Sequence, residues 1–473
     1  MSESQRESAR AGADRVYAQL LARVGESMPQ PRLEPTRRAV DLLGNPQRAY
    51  GIIHVTGTNG KTSTCRIAES ILRAHGLRTG LMTSPHLISV NERIVIDGEP
   101  ISDEALVRNW DDISVYLDMV DAELAEAGEE TLTYFEALTV LAFACFADAP
   151  ADVVVLEVGM GGEWDSTNVA DGEVAVFAPV ALDHTHRLGD TIGQIATTKA
   201  GIIKPAARVV SAVQQPDAIG PIALAAERFD AAVAWENRDF GVVSSRVGVG
   251  GQVVTIQGLA ARYDELVLPL LGEHQAHNAA LAVAAVESFL GGGEKPIERE
   301  VLVEGLSLAT SPGRLQLLGT EPPVLIDAAH NPHGAAALAT AIKEYFNFVE
   351  VVLVVGILAD KDAGGMIEIL APLANRIHVT QSHSDRAIPA DELADDVEYW
   401  SAGRWEAEPG EPQREIERFD QLDEALAAAR LWAVQGSGRG VVVTGSITLV
   451  GEAMALAAVQ GWSNLVARDE GEE

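Results

Sequence analysis

Short runs of branched apolar residues alternate along this chain with longer segments whose apolar positions recur every three or four residues. The first pattern predicts buried strands and the second predicts helices. A helix is predicted from about Ala13 to Val24, followed by a proline-rich join at Pro29, Pro31 and Pro35. Gly51 to Thr56 reads as a buried strand. Next come Gly57-Thr58-Asn59-Gly60-Lys61-Thr62-Ser63-Thr64 and a helical pattern through Ile67, Ile71 and Leu72, closed by Gly76. Leu81 to Thr83 predicts the next strand. Strand, glycine-rich loop, helix and strand in that order make a phosphate-binding βαβ unit.

Tyr134 to Phe146 predicts a buried helix. Val153 to Leu156 predicts a strand ending at Glu157, and Val174 to Val180 one that ends near Asp183 and His184. Polar residues at such strand ends are where open α/β sheets bind ligands. From Ala232 to Leu270 short alternating strands turn at Gly248, Gly250 and Gly251, which predicts a small antiparallel patch. A helix follows over His274 to Leu290. After Thr310-Ser311-Pro312-Gly313 the strand–helix alternation restarts, with strands at 324–326, 349–355, 377–380 and 440–444. The expected fold class is α/β. An N-terminal P-loop ATPase-like domain, 1–310, has a mostly parallel sheet plus a small antiparallel patch. A linker, 311–319, leads to a smaller Rossmann-like α/β domain, 320–473. Ser401 to Arg414 reads as a surface loop, and Asp469 to Glu473 as a solvated tail.

Charge narrows the partners. Lys and Arg total 35 against 69 Asp and Glu, a net charge of −34. Nucleic acid and anionic membrane surfaces need a basic face, so neither is expected as a partner. An anionic substrate needs a locally positive site instead. The apolar share of 47% excludes general disorder. Cys65 and Cys145 make neither a disulfide framework nor a zinc site. The polar N-terminus predicts no export signal, and the longest apolar stretch, about Ala137 to Phe146, is too short to span a bilayer. A cytoplasmic location is the expectation.

The loop after the first strand carries the clearest chemistry. Backbone N–H groups of Gly57, Thr58, Asn59 and Gly60 can face phosphate oxygens, and a helix N-terminus adds positive potential. Lys61 can neutralise phosphate charge, and Thr62 or Ser63 can place a hydroxyl on Mg²⁺. Val55 stands where the common pattern has glycine, so the loop is a variant of that motif.

This loop resembles that of the Mur ligases, ATP-dependent enzymes that form amide bonds. Further segments resemble the folylpolyglutamate synthase and dihydrofolate synthase family. They are Thr83-Ser84-Pro85-His86-Leu87 with Asn91-Glu92-Arg93-Ile94, Leu132 to Glu136, Leu156 to Gly162 with Asp165 to Asn168, and Leu182 to Thr185. Lys199 to Ile202, Pro312-Gly313-Arg314, Asp327 to Pro332 and Thr444-Gly445-Ser446 follow in the same order. The resemblance spans about Leu33 to Glu452. Glu163 stands where that family usually has arginine, Thr62 where it often has glycine, and Ala328 where it often has glycine.

The resemblance implies that ATP activates a carboxylate as an acyl phosphate, which the amine of L-glutamate then attacks. The acceptor would be dihydropteroate or a reduced folate. Mg²⁺, as one ion or two, is implied as cofactor, with a monovalent cation as a further candidate. A monomer is the expected working state. Ser84, Glu157 and His184 match the family's Mg²⁺ ligands, with Thr62 or Ser63 supplying the hydroxyl. Lys199 matches a lysine that is carbamylated in the family; an ion pair with a nearby carboxylate is the plain alternative. Asn278, Arg314 and Asp327 match nucleotide contacts, His330 lies beside the last, and Lys61, His184, Lys199, Arg314 and His330 are the candidate catalytic groups. ATP is expected between the two domains, with closure assembling the site. Pro31, Arg32, Thr83, Ser84, Pro85, His86, Thr133, Tyr134, Phe135, Glu136, Trp164, Asp165 and Ser166 fall at substrate positions, where aromatic rings suit a flat pterin. Asp360 to Asp362 and Ser384 to Arg386 are candidate glutamate or nucleotide loops. Two rival functions stand beside this one: a cell-wall ligase of the Mur type, and a nucleotide-binding regulator without catalysis.

Overall fold

The computed structural model describes residues 3–25, 30–248, 250–401 and 415–462. They form two compact units, the first within Met1–Pro269 and Gln275–Thr310, the second within Leu270–His274 and Ser311–Glu473.

The first unit is built on an eight-stranded sheet. Its strands are β1 (Gly51–Thr56), β2 (Thr79–Met82), β3 (Ile94–Ile96), β4 (Glu99–Pro100), β5 (Val153–Glu157), β6 (Val174–Phe177), β7 (Arg208–Ser211) and β8 (Val233–Trp235). The spatial order is β4-β3-β2-β5-β1-β6-β7-β8. All pairs from β2 to β8 across that order are parallel, while β3 and β4 form an antiparallel edge. Every residue of β2, β5 and β6 is buried. Such strands read as unbroken apolar runs because helices cover both sheet faces. A separate antiparallel sheet contains β9 (Gly241–Gly248), β10 (Gly251–Gln257) and β11 (Arg262–Leu268).

One core lies under the helix Tyr134–Asp148, whose Phe143 and Phe146 are fully buried. Tyr50 meets Phe146 edge-on at 6.1 Å. Removing either phenylalanine ring would cost about 3–5 kcal/mol. The second unit has its own core around a six-stranded sheet. Its strands are β12 (Gln316–Thr320), β13 (Pro323–Asp327), β14 (Glu350–Val355), β15 (Arg376–Val379), β16 (Glu415–Arg418) and β17 (Arg439–Thr444), in the order β12-β13-β17-β14-β15-β16. Only β12 among these strands runs antiparallel to its neighbour. The fold is thus α/β, with a mostly parallel N-terminal sheet and a mixed C-terminal one.

Several elements differ from the sequence expectation. The first helix runs over Glu3–Leu21, well before Ala13. Its early turns carry no apolar signal because the buried positions begin at Ala13, Val16 and Leu20. Pro35 opens a helix, Glu34–Leu42, where an irregular join was expected. The 25-residue helix Asp103–Ala127 was unforeseen, although Leu106, Trp110, Ile113, Leu117, Val120 and Leu124 are buried at helical spacing. The stretch expected as a linker, 311–319, supplies most of edge strand β12. Within the expected antiparallel patch, β8 joins the main sheet in parallel. Pro29, the loop residues 402–414 and the tail from Asp469 lie outside the described residues. No described helix is long and apolar enough to cross a membrane.

Candidate functional site

In the first sheet β1 lies between β5 and β6, and the chain leaves it in opposite directions on either side. That reversal opens a crevice at the carboxyl ends of the strands. The candidate groups gather at those ends: the loop from Gly57 follows β1, Ser84 follows β2, Glu157 ends β5, and Asp183 and His184 follow β6.

The helix Lys61–Ala74 starts at Gly60, which has φ 87°. A side chain there would be strained, and its Cβ would come within 2.5 Å of Asn278 Oδ1. Thr58 and Asn59 donate their N–H groups to the Pro179 carbonyl, at 2.9 and 3.4 Å. Those two amides therefore already serve the loop's own architecture. The amides of the helix's first turn have no intrahelical acceptor and are the candidate donors to an anion. Lys61 Nζ donates to the Thr58 carbonyl at 3.2 Å.

The hydroxyls of Thr62 and Ser63 point to different partners. Thr62 Oγ1 donates to Glu157 Oε1 at 2.8 Å. Ser63 is buried and accepts from Gln275 Nε2 at 3.3 Å, and Gln275 Oε1 in turn accepts from Asn278 Nδ2 at 3.0 Å. The Ser84 N–H donates to Glu157 Oε2 at 3.2 Å. Glu157 is 1% exposed, so a buried carboxylate meets a phosphate-loop hydroxyl and the start of the next loop. The Glu157 carboxylate and the Thr62 hydroxyl are oxygen ligands of the kind Mg²⁺ takes, and Mg²⁺ keeps several waters and needs few protein ligands. Among the described residues no group of three or more His, Cys, Asp or Glu stands together in a way that could hold a metal ion.

Lys199 is buried and donates to the Gly57 carbonyl at 2.7 Å. Burial, assisted by Lys61, brings its amine down to about 7, against the opposing pull of Asp183 and Asp165. His184 sits in the left-handed region, φ 50° and ψ 36°. A non-glycine residue held there stores strain that the surrounding contacts must offset. Its N–H donates to Asp183 Oδ1 at 2.8 Å, and Nε2 lies 3.9 Å from Asp183 Oδ2.

The acceptor segments converge on the helix Tyr134–Asp148. Thr133 and Glu136 form a capping box at its start. Glu136 also receives Arg32 through two bonds, 3.0 Å to Oε1 and 3.1 Å to Oε2. Arg32 reaches the Glu130 and Thr131 carbonyls as well, while Pro31 beside it is exposed. Tyr134 is core rather than surface, with the Arg93 guanidinium 5.3 Å from its ring centre. Arg93 Nε donates to His86 Nδ1 at 2.7 Å, so His86 and Tyr134 are tied by one cation. Glu92 closes the same loop by accepting the amides of Leu87, Ile88 and Ser89. Phe135 is half-buried against Gly159, where a Cβ would lie 2.5 Å from the ring. Thr83 and Ser166 are buried, Pro85 is exposed, and Trp164 is half-buried among Met160, Leu188 and Ile195.

Asp165 is buried and accepts from Met160 N at 2.8 Å and from Thr167 Oγ1 at 2.5 Å. Thr167 Oγ1 also meets His54 Nε2 at 2.9 Å. Because the hydroxyl proton goes to Asp165, the imidazole donates from Nε2 and buries a bare Nδ1. Neither His54 nor Arg93 was read as a site residue. Arg93 stands inside a matched segment and was legible there, whereas His54 looks like any strand residue.

In the second unit Asp327 ends β13 and is buried. It accepts from Leu315 N at 3.0 Å and Ala329 N at 2.9 Å. Burial raises its carboxyl pKa, against Arg314 and His330. Leu315 has φ 45°, so Asp327 helps hold a strained residue next to Arg314. The N-cap of the following helix, Pro332–Tyr345, is Asn331, which accepts from Gly334 N at 2.8 Å, so neither Asp327 nor His330 serves as its cap. His330 Nδ1 donates to the Ala328 carbonyl at 2.9 Å. Arg386 and Asp360 join the two other candidate loops at 2.6 Å. Cys65 and Cys145 are buried free thiols.

The class follows from these strand ends and from matching models: a Mur ligase middle domain over residues 55–286 and a Mur ligase glutamate ligase domain over 313–447. A dihydrofolate synthase/folylpolyglutamate synthase of Mycobacterium tuberculosis is 41% identical over 450 residues, covering 90% of this chain and 91% of the relative. A folylpolyglutamate synthase of Lacticaseibacillus casei is 38% identical over 366 residues, covering 76% and 85%. The M. tuberculosis folylpolyglutamate synthase complexed with ADP superposes with a TM-score of 0.88 at 39% identity, covering 95% of this chain and 99% of that one. The Escherichia coli FolC structure in complex with DHPP and ADP gives 0.77 at 29% identity, covering 91% and 94%. The chain belongs to the dihydrofolate synthase/folylpolyglutamate synthase family of ATP-dependent Mur ligases.

Proposed function

We propose that this chain adds L-glutamate to dihydropteroate, to a reduced folate, or to both, at the expense of ATP. The observation that carries the reading is the convergence of the Thr62 hydroxyl and the Ser84 N–H on the buried carboxylate of Glu157, with Lys61 next to Thr62 in the first turn of the same helix. Two anions must meet for the reaction, and this is where fixed positive charge and a cation-holding carboxylate lie together.

The first-turn amides and Lys61 bind the phosphates and hold them in line with the acceptor carboxylate. Thr62, Ser84 and Glu157, with His184, would hold Mg²⁺, which when bound supplies charge neutralisation. A carboxylate oxygen attacks the γ-phosphorus, the bond to ADP breaks, and an acyl phosphate forms. The glutamate amine then attacks the acyl carbon, phosphate leaves, and the amine proton passes to a base, for which His184 and His330 are the candidates. Asn278, Arg314 and Asp327 serve the nucleotide. The 1–310 portion is the ATP-binding domain and 320–473 the glutamate ligase domain.

Lys199 acts as its carbamate. Its amine reacts with CO₂ only when neutral, and burial favours that form near pH 7. Carbon–nitrogen bond formation releases one proton and leaves an anionic oxygen beside the phosphate loop. The pterin end of the acceptor lies along Phe135, His86, Trp164, Asp165 and Ser166. Pro31, Thr83, Pro85 and Thr133 shape that wall, and Arg32, Tyr134 and Glu136 support it from beneath. The enzyme works as a cytoplasmic monomer. The test is ADP release with L-glutamate and either acceptor. Release must require both substrates; no stimulation by dihydropteroate or a reduced folate overturns the reading.

A further inference from the structure

Glu236 lies just beyond β8, and its side chain is 1% exposed. It accepts the Val213 N–H at 3.0 Å, just beyond β7, and also pairs with His277 Nδ1. A carboxylate only accepts, so His277 Nδ1 carries the hydrogen. His277 belongs to the helix Glu273–Gly291, and its side chain is 37% exposed. The next residue is Asn278. Successive helix positions are about 100° apart, so these two side chains grip different neighbours. His277 grips the edge of the sheet through Glu236. Asn278 packs on Gly60, and through Gln275 reaches Ser63. The start of this helix is therefore fixed on one side by the sheet edge and on the other by the phosphate loop.

We propose that His277, held by Glu236, is a positioning residue that sets Asn278 against the nucleotide. The proposal rests on the reading of Asn278 as a nucleotide contact. Losing the grip lets the helix start shift relative to Gly60, which weakens nucleotide binding while the reacting groups at Lys61 and Glu157 stay in place.

The experiment is steady-state kinetics in ATP for His277→Phe, His277→Asn, Asn278→Ala and the double variant His277→Phe/Asn278→Ala, with melting temperatures recorded. His277→Phe raises KM for ATP about 10-fold, as expected for loss of a hydrogen bond to a charged group, and leaves kcat within about twofold. His277→Asn, whose amide nitrogen sits near the lost Nδ1, restores KM. The double variant is no worse than Asn278→Ala, because the two residues act through one contact. Glu236→Leu, which leaves His277 no partner at this position, repeats the KM shift and replaces His277→Phe if that variant melts early. An unchanged KM in His277→Phe beside a raised one in Asn278→Ala overturns the positioning role alone, as do fully additive effects. A wild-type KM in Asn278→Ala overturns the nucleotide reading of Asn278 and the proposal with it.

Discussion

The Thr62 hydroxyl donates to Glu157 across 2.8 Å, joining the first turn of the phosphate-loop helix to the end of the neighbouring strand. This bond selects between two adjacent hydroxyls that sequence alone leaves equivalent. Thr62→Val keeps the shape and removes the donor. It should raise the Mg²⁺ concentration needed for half-maximal activity by about 10–100-fold, as loss of a ligand-orienting partner does. Ser63→Ala should change it far less. A Mg²⁺ titration of both variants at saturating ATP checks the difference.

Lys61 is the cation nearest the phosphates in the proposed mechanism. Lys61→Ala should lower kcat by about 10²–10³, corresponding to about 3–4 kcal/mol of lost transition-state stabilisation. Single-turnover ADP formation measures this directly. A near-normal rate would be fatal to the assigned role.

Lys199→Ala should be almost inactive and should regain part of its activity with short carboxylic acids. The added carboxylate would occupy the place of the carbamate oxygens beside Gly57. Activity measured against acetate or formate concentration decides it. A flat response counts against a carbamate.

Arg32 and Glu136 are an almost buried pair, with side chains 17% and 3% exposed. Removing the arginine alone strands the carboxylate at the cap of the helix Tyr134–Asp148. Arg32→Ala should destabilise the first unit by about 3–5 kcal/mol and raise KM for the acceptor. Urea unfolding and acceptor kinetics report the two effects separately.

His54 gives a pH signature of folding. Burial pushes its imidazole from 6.5 to about 3, with Lys204 adding repulsion. The unfolded chain therefore binds one more proton between those values. Stability contributed by the neutral ring is present above about 6.5 and is lost as pH falls toward 3, by about 1.4 kcal/mol per unit. His54→Gln should flatten this slope by one proton equivalent. Urea midpoints at pH 5 and 7.5 test it, and an unchanged slope would refute the assignment.

The parallel strands were legible because residues buried on both faces leave unbroken apolar runs, as in Val153-Val154-Val155-Leu156. The phosphate loop was legible because glycines, lysine and hydroxyls must occur in a set order to serve one anion. The helix Asp103–Ala127 hid its period among charged residues on its solvent face. Edge strand β12 hid because half its backbone pairs and its side chains are mixed in character.

By itself the sequence determined that the chain is an acidic α/β protein with a phosphate loop, and named the polar residues at its strand ends. Those are local matters, decided by side-chain period and backbone freedom. The tertiary structure alone decided that Thr62 rather than Ser63 meets Glu157, that Thr58 and Asn59 spend their amides on Pro179, and that Glu236 grips His277. These contacts join residues far apart along the chain, and no local pattern encodes which of several equivalent donors ends up facing a given acceptor.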